Sequence, residues 1–84
     1  MQLTRYIDDL EFELPVNDGF DLFSADVKLY VYVEVVDKKH KIFNYEIEEV
    51  EIKELRDSEG NKVKVEDWHE EEVHRILSER GIDL

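Results

Sequence analysis

Apolar side chains alternate along Val27, Leu29, Val31, Val33 and Val35, and the alternation resumes at Phe43, Tyr45 and Ile47. This pattern constrains the fold more than any other in the chain. A period of two marks strands with one buried face, and valine is a strong strand former. Between the two runs, Asp37-Lys38-Lys39-His40-Lys41 is a polar loop, so the runs form an antiparallel hairpin. With Val36 opposite Ile42, Val35 faces Phe43, Val33 faces Tyr45 and Val31 faces Ile47, all on one side. A slip of one residue would set each apolar side chain against a polar one, so the pattern selects the register.

The same register fixes the other face. Tyr30, Tyr32, Glu34, Asn44, Glu46 and Glu48 belong there, with Tyr32 opposite Glu46 and Tyr30 opposite Glu48. The apolar phase then shifts from Ile47 to the even positions Val50 and Ile52. A β-bulge near residues 48–49 accounts for the shift. The competing reading, a helix through Ile47, Val50 and Leu55, is disfavoured by the short alternation and the turn that follows.

Upstream, Leu10, Phe12, Leu14 and Val16 alternate with polar residues and Pro15, which predicts a strand ended by turn chemistry from Pro15 to Gly19. Leu3, Tyr6, Ile7 and Leu10 have helical spacing and predict a short N-terminal helical turn. Downstream, Asp57-Ser58-Glu59-Gly60-Asn61 has the composition of a hairpin turn, with Val63 and Val65 on the returning strand. Asp67 reads as the N-cap of a helix, with Glu70 completing a capping box. Val73, Ile76 and Leu77 form its apolar stripe, with Trp68 near the start. Glu71 and Arg75 are spaced for an ion pair. Gly81 stands where a terminating glycine belongs, and Ile82 is placed to pack on Leu77 as in a Schellman ending. The fold class is α+β: an antiparallel meander of four to five strands with one C-terminal helix packed on one face, in a single domain spanning residues 1–84.

Composition narrows the function. Twenty-three carboxylates face eleven basic residues, for a net charge of −12, and there is no cysteine. That balance argues against direct binding to nucleic acid or to an anionic membrane, both of which require basic patches. The N-terminus has neither the basic stretch nor the apolar core of a signal peptide, and no apolar run reaches membrane-span length, so a cytoplasmic location is expected.

The chemistry-bearing motifs are incomplete. His69-Glu-Glu-Glu-Val-His74 differs from the zinc-protease motif by one extra residue. Its two histidines lie about 140° apart around a helix, not about 40°, and cannot share one tetrahedral ion. The segments Asn17–Asp21 and Asp57–Asn61 are oxygen-rich but lack the ligand alternation of a calcium loop. Gly19, Gly60 and Gly81 are too scattered for a phosphate loop. Ser24, Ser58 and Ser78 lack a nucleophile context. No catalytic, metal or cofactor residue is therefore expected, and the chain reads as non-enzymatic.

The tyrosine–carboxylate face is what remains for function. One short helix covers one side of a sheet. Tyrosine is enriched at interface hot spots, and carboxylates select a basic partner. Tyr30, Tyr32, Glu34, Glu46 and Glu48 are the candidate partner-binding residues, for a protein with a basic surface or for a homodimer assembled through the same face. A domain of this size is expected to be roughly 25–30 Å across, a length of B-DNA carrying about 15–18 charges; the net charge of −12 is somewhat lower than that but comparable, so rows of phosphate-like charge are geometrically possible.

The C-terminal half, with Ile47-Glu48-Glu49-Val50-Glu51-Ile52, the turn Glu59-Gly60-Asn61, a short Val-rich strand and an acidic C-terminal helix, resembles small uncharacterised bacteriophage and prophage proteins. The resemblance implies an accessory phage protein acting inside a bacterial host cell, where such proteins inhibit defence or replication factors by binding them.

Overall fold

The computed structural model describes residues 1–82. Four strands, β1 (Gln2–Val16), β2 (Gly19–Asp37), β3 (Ile42–Arg56) and β4 (Lys62–Val63), form one antiparallel sheet in sequential order, followed by helix α1 (Asp67–Arg80). This is the α+β meander expected from the alternation. Residues 47–55 are strand, not helix. The central register is the one selected by the hydrophobic pattern: Val35 pairs with Phe43, Val33 with Tyr45, Val31 with Ile47 and Tyr32 with Glu46. At the loop, however, Ile42 pairs with Asp37, and Val36 is skipped. Asp37 organises this turn, its Oδ1 accepting the Lys39 and His40 N–H groups at 3.0 and 3.2 Å.

The N-terminal segment departs from its helical spacing. Residues Leu3 to Leu10 are strand, paired from Gln2 opposite Tyr32 through Ile7 opposite Val27. The spacing that mimics a helix is a strand interrupted by a bulge. Asp8 and Asp9 together oppose Asp26, and Asp9 takes a positive φ of 52°. Leu3 and Ile7 before the bulge, and Leu10, Phe12 and Leu14 after it, therefore share one face. Residues 19–26 form the first part of β2, entered through a two-residue turn at Asn17–Asp18.

Strand β3 contains two bulges. Glu48 is the extra residue between the Val31–Ile47 and Tyr30–Glu49 pairs, as the phase shift predicts, so Tyr30 faces Glu49 and not Glu48. Lys53 is a second one, between Val27–Ile52 and Asp26–Glu54. Removing Glu48 and Lys53 from the sequence would leave strict alternation, which is why Ile47, Val50, Ile52 and Leu55 all reach the core.

The bulges at Asp8–Asp9 and Lys53 flank the same residue of β2, Asp26. The sheet bends there. Nineteen residues of straight strand would span about 63 Å, whereas the longest dimension of the molecule is 48 Å. The β1–β2 hairpin curls over the helix, and Arg80 Nη1 donates to the Glu11 carbonyl at 3.0 Å. Phe12 and Leu14 on the curled hairpin are fully buried with Leu29, Leu55 and Val73.

Helix α1 starts one residue earlier than its sequence signature suggests. Glu66, not Asp67, is the N-cap, and its N–H donates to His69 Nδ1 at 2.9 Å. The Glu70 side chain, instead of capping the helix, accepts the Ile52 N–H at 2.9 Å. His69 joins Val73, Ile76 and Leu77 on the buried stripe, while Trp68 remains 40% exposed with its Nε1 on Glu66 Oε2. Arg75 pairs with Glu72 and Glu79 instead of Glu71. The Gly81 N–H donates to the Leu77 carbonyl, but φ 82° and ψ 164° are not the Schellman conformation, and the Ile82 N–H goes to Tyr45 Oη at 3.1 Å. The returning strand is shorter than expected. Only Lys62 and Val63 pair, and Val65 packs against the core outside the strand.

Candidate functional site

The helix and the curled hairpin lie on one side of the sheet, and the other side is open. Alternation places Tyr6 from β1, Lys28, Tyr30, Tyr32 and Glu34 from β2, and Asn44, Glu46, Glu49 and Glu51 from β3 on this open side. Of the five residues expected from the sequence, Tyr30, Tyr32, Glu34 and Glu46 reach it by alternation, and Glu48 reaches it through its bulge, its Oε1 accepting from Gln2 Nε2 at 3.0 Å. Glu49 was missed by sequence reasoning. The double-glutamate phase shift signals the bulge but does not say which of the two glutamates occupies the paired position.

The face divides into two electrostatic halves. Near the bend, Arg56 is a hub, donating to Asp9 at 2.8 Å, to Asp26 at 3.1 and 3.3 Å, to Glu54 at 3.1 Å and to Ser24 at 3.2 Å. The Arg56 hydrogen bonds, with the Asp9 N–H, hold the Asp26 carboxyl below its ordinary range. Further along, Lys28 Nζ lies 5.8 Å from the centre of the Tyr6 ring and 5.1 Å from that of Tyr30, a cation–π arrangement. The Tyr30 hydroxyl, followed by the charges nearby, raises the proton affinity of Lys28. Lys53, at 2.8 Å, lowers the Glu51 carboxyl. Tyr30 is thus half-buried and already engaged within the molecule.

Towards the β2–β3 turn, these cations run out. Glu34, Glu46 and Glu49 make no ion pair among the described residues. Tyr32 stands 47% exposed beside them. A shallow hollow of about 220 Å³ is lined by Tyr32, Glu34, Asn44, Tyr45 and Glu46, with no lysine or arginine in its wall. It places an exposed aromatic ring beside carboxylates that make no ion pair among the described residues.

The two helix histidines have separate structural positions. His69 is buried at the start of the helix, where burial lowers its proton affinity. The His74 Nε2 lies 2.6 Å from the Ile47 carbonyl at the edge of β3. Among the described residues, no group of three histidine or acidic side chains is gathered closely enough to hold a metal ion, and no helix is long and apolar enough to cross a membrane.

Comparison of the chain with family models, with curated proteins and with solved structures finds no match.

Proposed function

We propose that this chain is a non-enzymatic acidic binding protein that masks a basic surface on a protein partner. The observation that carries this reading is the part of the open face where exposed Tyr32 lies beside Glu34 and Glu46, in a hollow with no lysine or arginine in its wall, with Glu49 opposite the neighbouring Tyr30. An aromatic anchor within a field of one sign suits a partner patch rich in arginine and lysine. Carboxylates on alternate residues lie about 6.7 Å apart along a strand, and neighbouring strands about 4.8 Å apart, a spacing on the scale of nucleic-acid phosphates. Together with the phage-like pattern of the C-terminal half, this supports a phage-encoded inhibitor that occupies the nucleic-acid site of a host enzyme, as an anti-defence factor or DNA mimic.

The test is capture of partners from bacterial lysate on the tagged chain, at low salt and at high salt, alongside the Glu46→Lys/Glu48→Lys variant. A nucleic-acid-handling protein should be retained by the native chain at low salt, be weakened at high salt where charge is screened, and be lost with the double variant while its circular dichroism spectrum is unchanged. Equal capture by the double variant would remove this face from the interaction.

A further inference from the structure

The outer edge of β3 is treated differently along its length. Val33 exchanges both of its backbone hydrogen bonds with Met1, at 2.7 and 2.8 Å, so its polar groups point towards β1. Its partner across β2–β3 is Tyr45, whose N–H and C=O therefore point outward. The alternation gives Phe43 and Ile47 the same direction. Helix side chains cover the edge further on: His74 meets the Ile47 carbonyl, and Glu70 takes the Ile52 N–H. Strand β4 covers Leu55 and Arg56. The outward groups of Phe43 and Tyr45 have no backbone partner among the described residues.

This bare stretch is apolar on the helix side of the sheet, whereas Asn44 and Glu46 stand on the open side. Val35 and Phe43 are each 49% exposed because the helix ends against Tyr45, and Ile42 and Val36 are exposed beside them. An uncovered, apolar strand edge is a template for another strand. The β1 edge is guarded, by contrast, with a bulge at Asp8–Asp9, Pro15, and Arg80 on the Glu11 carbonyl.

Charge identifies the occupant. Three of the eleven basic residues fall within Lys38–Lys41, at the turn just beyond the bare edge. On the other side of it, a groove of about 300 Å³ is lined by Glu48, Glu49, Glu70 and Glu71 with Val50 and His74. Lys39 and Glu49 are equally far from Asn44 in the sequence, as are His40 and Glu48. A strand that pairs antiparallel with its own copy about Asn44 would bring each basic turn to the other copy's acidic groove.

We propose that the chain forms a two-fold symmetric dimer by pairing β3 with β3 of a second copy, centred on Asn44. Phe43 of each copy pairs with Tyr45 of the other, exchanging both backbone hydrogen bonds. The Lys38–Lys41 turn of each copy lies in the glutamate groove of the other. The interface is isologous and closed, and the exposed Val35 and Phe43 rows of the two copies become one continuous apolar strip. The tyrosine–carboxylate faces lie side by side on one extended sheet; the dimer engages Glu48 and Glu49 at their edge and leaves Tyr32, Glu34 and Glu46 open to a partner.

Sedimentation equilibrium of the full chain from micromolar to millimolar concentration tests this. A monomer–dimer equilibrium is expected. Lys39→Glu/Lys41→Glu should weaken it about tenfold or more, a change of roughly 1.4 kcal/mol, and adding Glu48→Lys/Glu49→Lys to the same chain should restore it. Phe43→Pro, which removes an outward N–H, should abolish it; if that variant fails to fold, the charge-reversal pair carries the test alone. In hydrogen exchange, the amides of Phe43 and Tyr45 should gain protection with concentration, while that of Asn44, directed towards β2, should not. A monomer throughout overturns the proposal. So does a dimer indifferent to the charge reversals but lost in Tyr32→Ala, which would place the contact on the open face.

Discussion

At the scale of single residues, two side chains do more than sequence pattern assigns to them. His69 is buried at the helix start and accepts the Glu66 N–H through Nδ1, which requires that nitrogen to be unprotonated. Burial lowers its proton affinity, and Glu66 opposes this only in part. The unfolded chain therefore takes up the proton first, so stability is fully present above about pH 6.5 and declines as the pH falls through and below that value. Thermal melts across this range should show the decline, and His69→Gln should flatten it. Arg56 ties β1, β2 and β3 together at the bend through Asp9, Asp26 and Glu54. Arg75 bridges only Glu72 and Glu79 on the helix surface, and isolated surface pairs contribute little. Arg56→Ala should thus lower the melting temperature clearly more than Arg75→Ala, and equal effects would mean that the cluster does not hold the bend.

At the scale of elements, the bulges are where local pattern and real structure part company. Ile47, Val50 and Ile52 announce one phase shift, and Glu48 is found to be the extra residue. Ile52 and Leu55 hold a second, absorbed by Lys53, and Ile7 and Leu10 a third, absorbed at Asp8–Asp9. That third shift, read locally, has the spacing of a helical turn. A strand with one inserted residue and a helix both place apolar groups three apart, so only pairing with β2 distinguishes them. The helix end shows the same dependence on context. Gly81 combines φ 82° with ψ 164°, a region reserved for glycine, and an added Cβ would lie 3.2 Å from Tyr45 Oη. Gly81→Ala should lower stability by roughly 1–3 kcal/mol in denaturant titration, and a neutral result would show that the helix end is free to rearrange.

At the scale of the whole molecule, charge and shape act together. The net charge of −12 is spread over an elongated body 48 Å long, with its local basic exception at the Lys38–Lys41 turn. Self-repulsion opposes compaction, and salt screens it beyond about 8–10 Å. The melting temperature should therefore rise with sodium chloride at neutral pH; a fall would show that attractive pairs such as the Arg56 cluster outweigh the repulsion. Bending at Asp26 turns a three-stranded ribbon too thin to bury a core into a sheet that encloses its helix from two sides.

The amino-acid sequence alone determined the β2–β3 hairpin with its central register, the strand character of residues 47–55, the turn at Asp57–Asn61, the helix and its buried stripe of Val73, Ile76 and Leu77, and the gathering of Tyr32, Glu34, Glu46 and Glu48 on one face. These follow from periodicity and turn chemistry, which act over a few neighbouring residues. Only the tertiary structure decided the rest. Asp9, Asp26 and Arg56 meet because two bulges align across β2, and Tyr30 is engaged because Lys28 lies over it. Phe43 is left half-exposed because the helix stops at Tyr45. Each of these depends on groups far apart in the chain, whose meeting is set by the bend of the sheet and the length of the helix and not by local spacing.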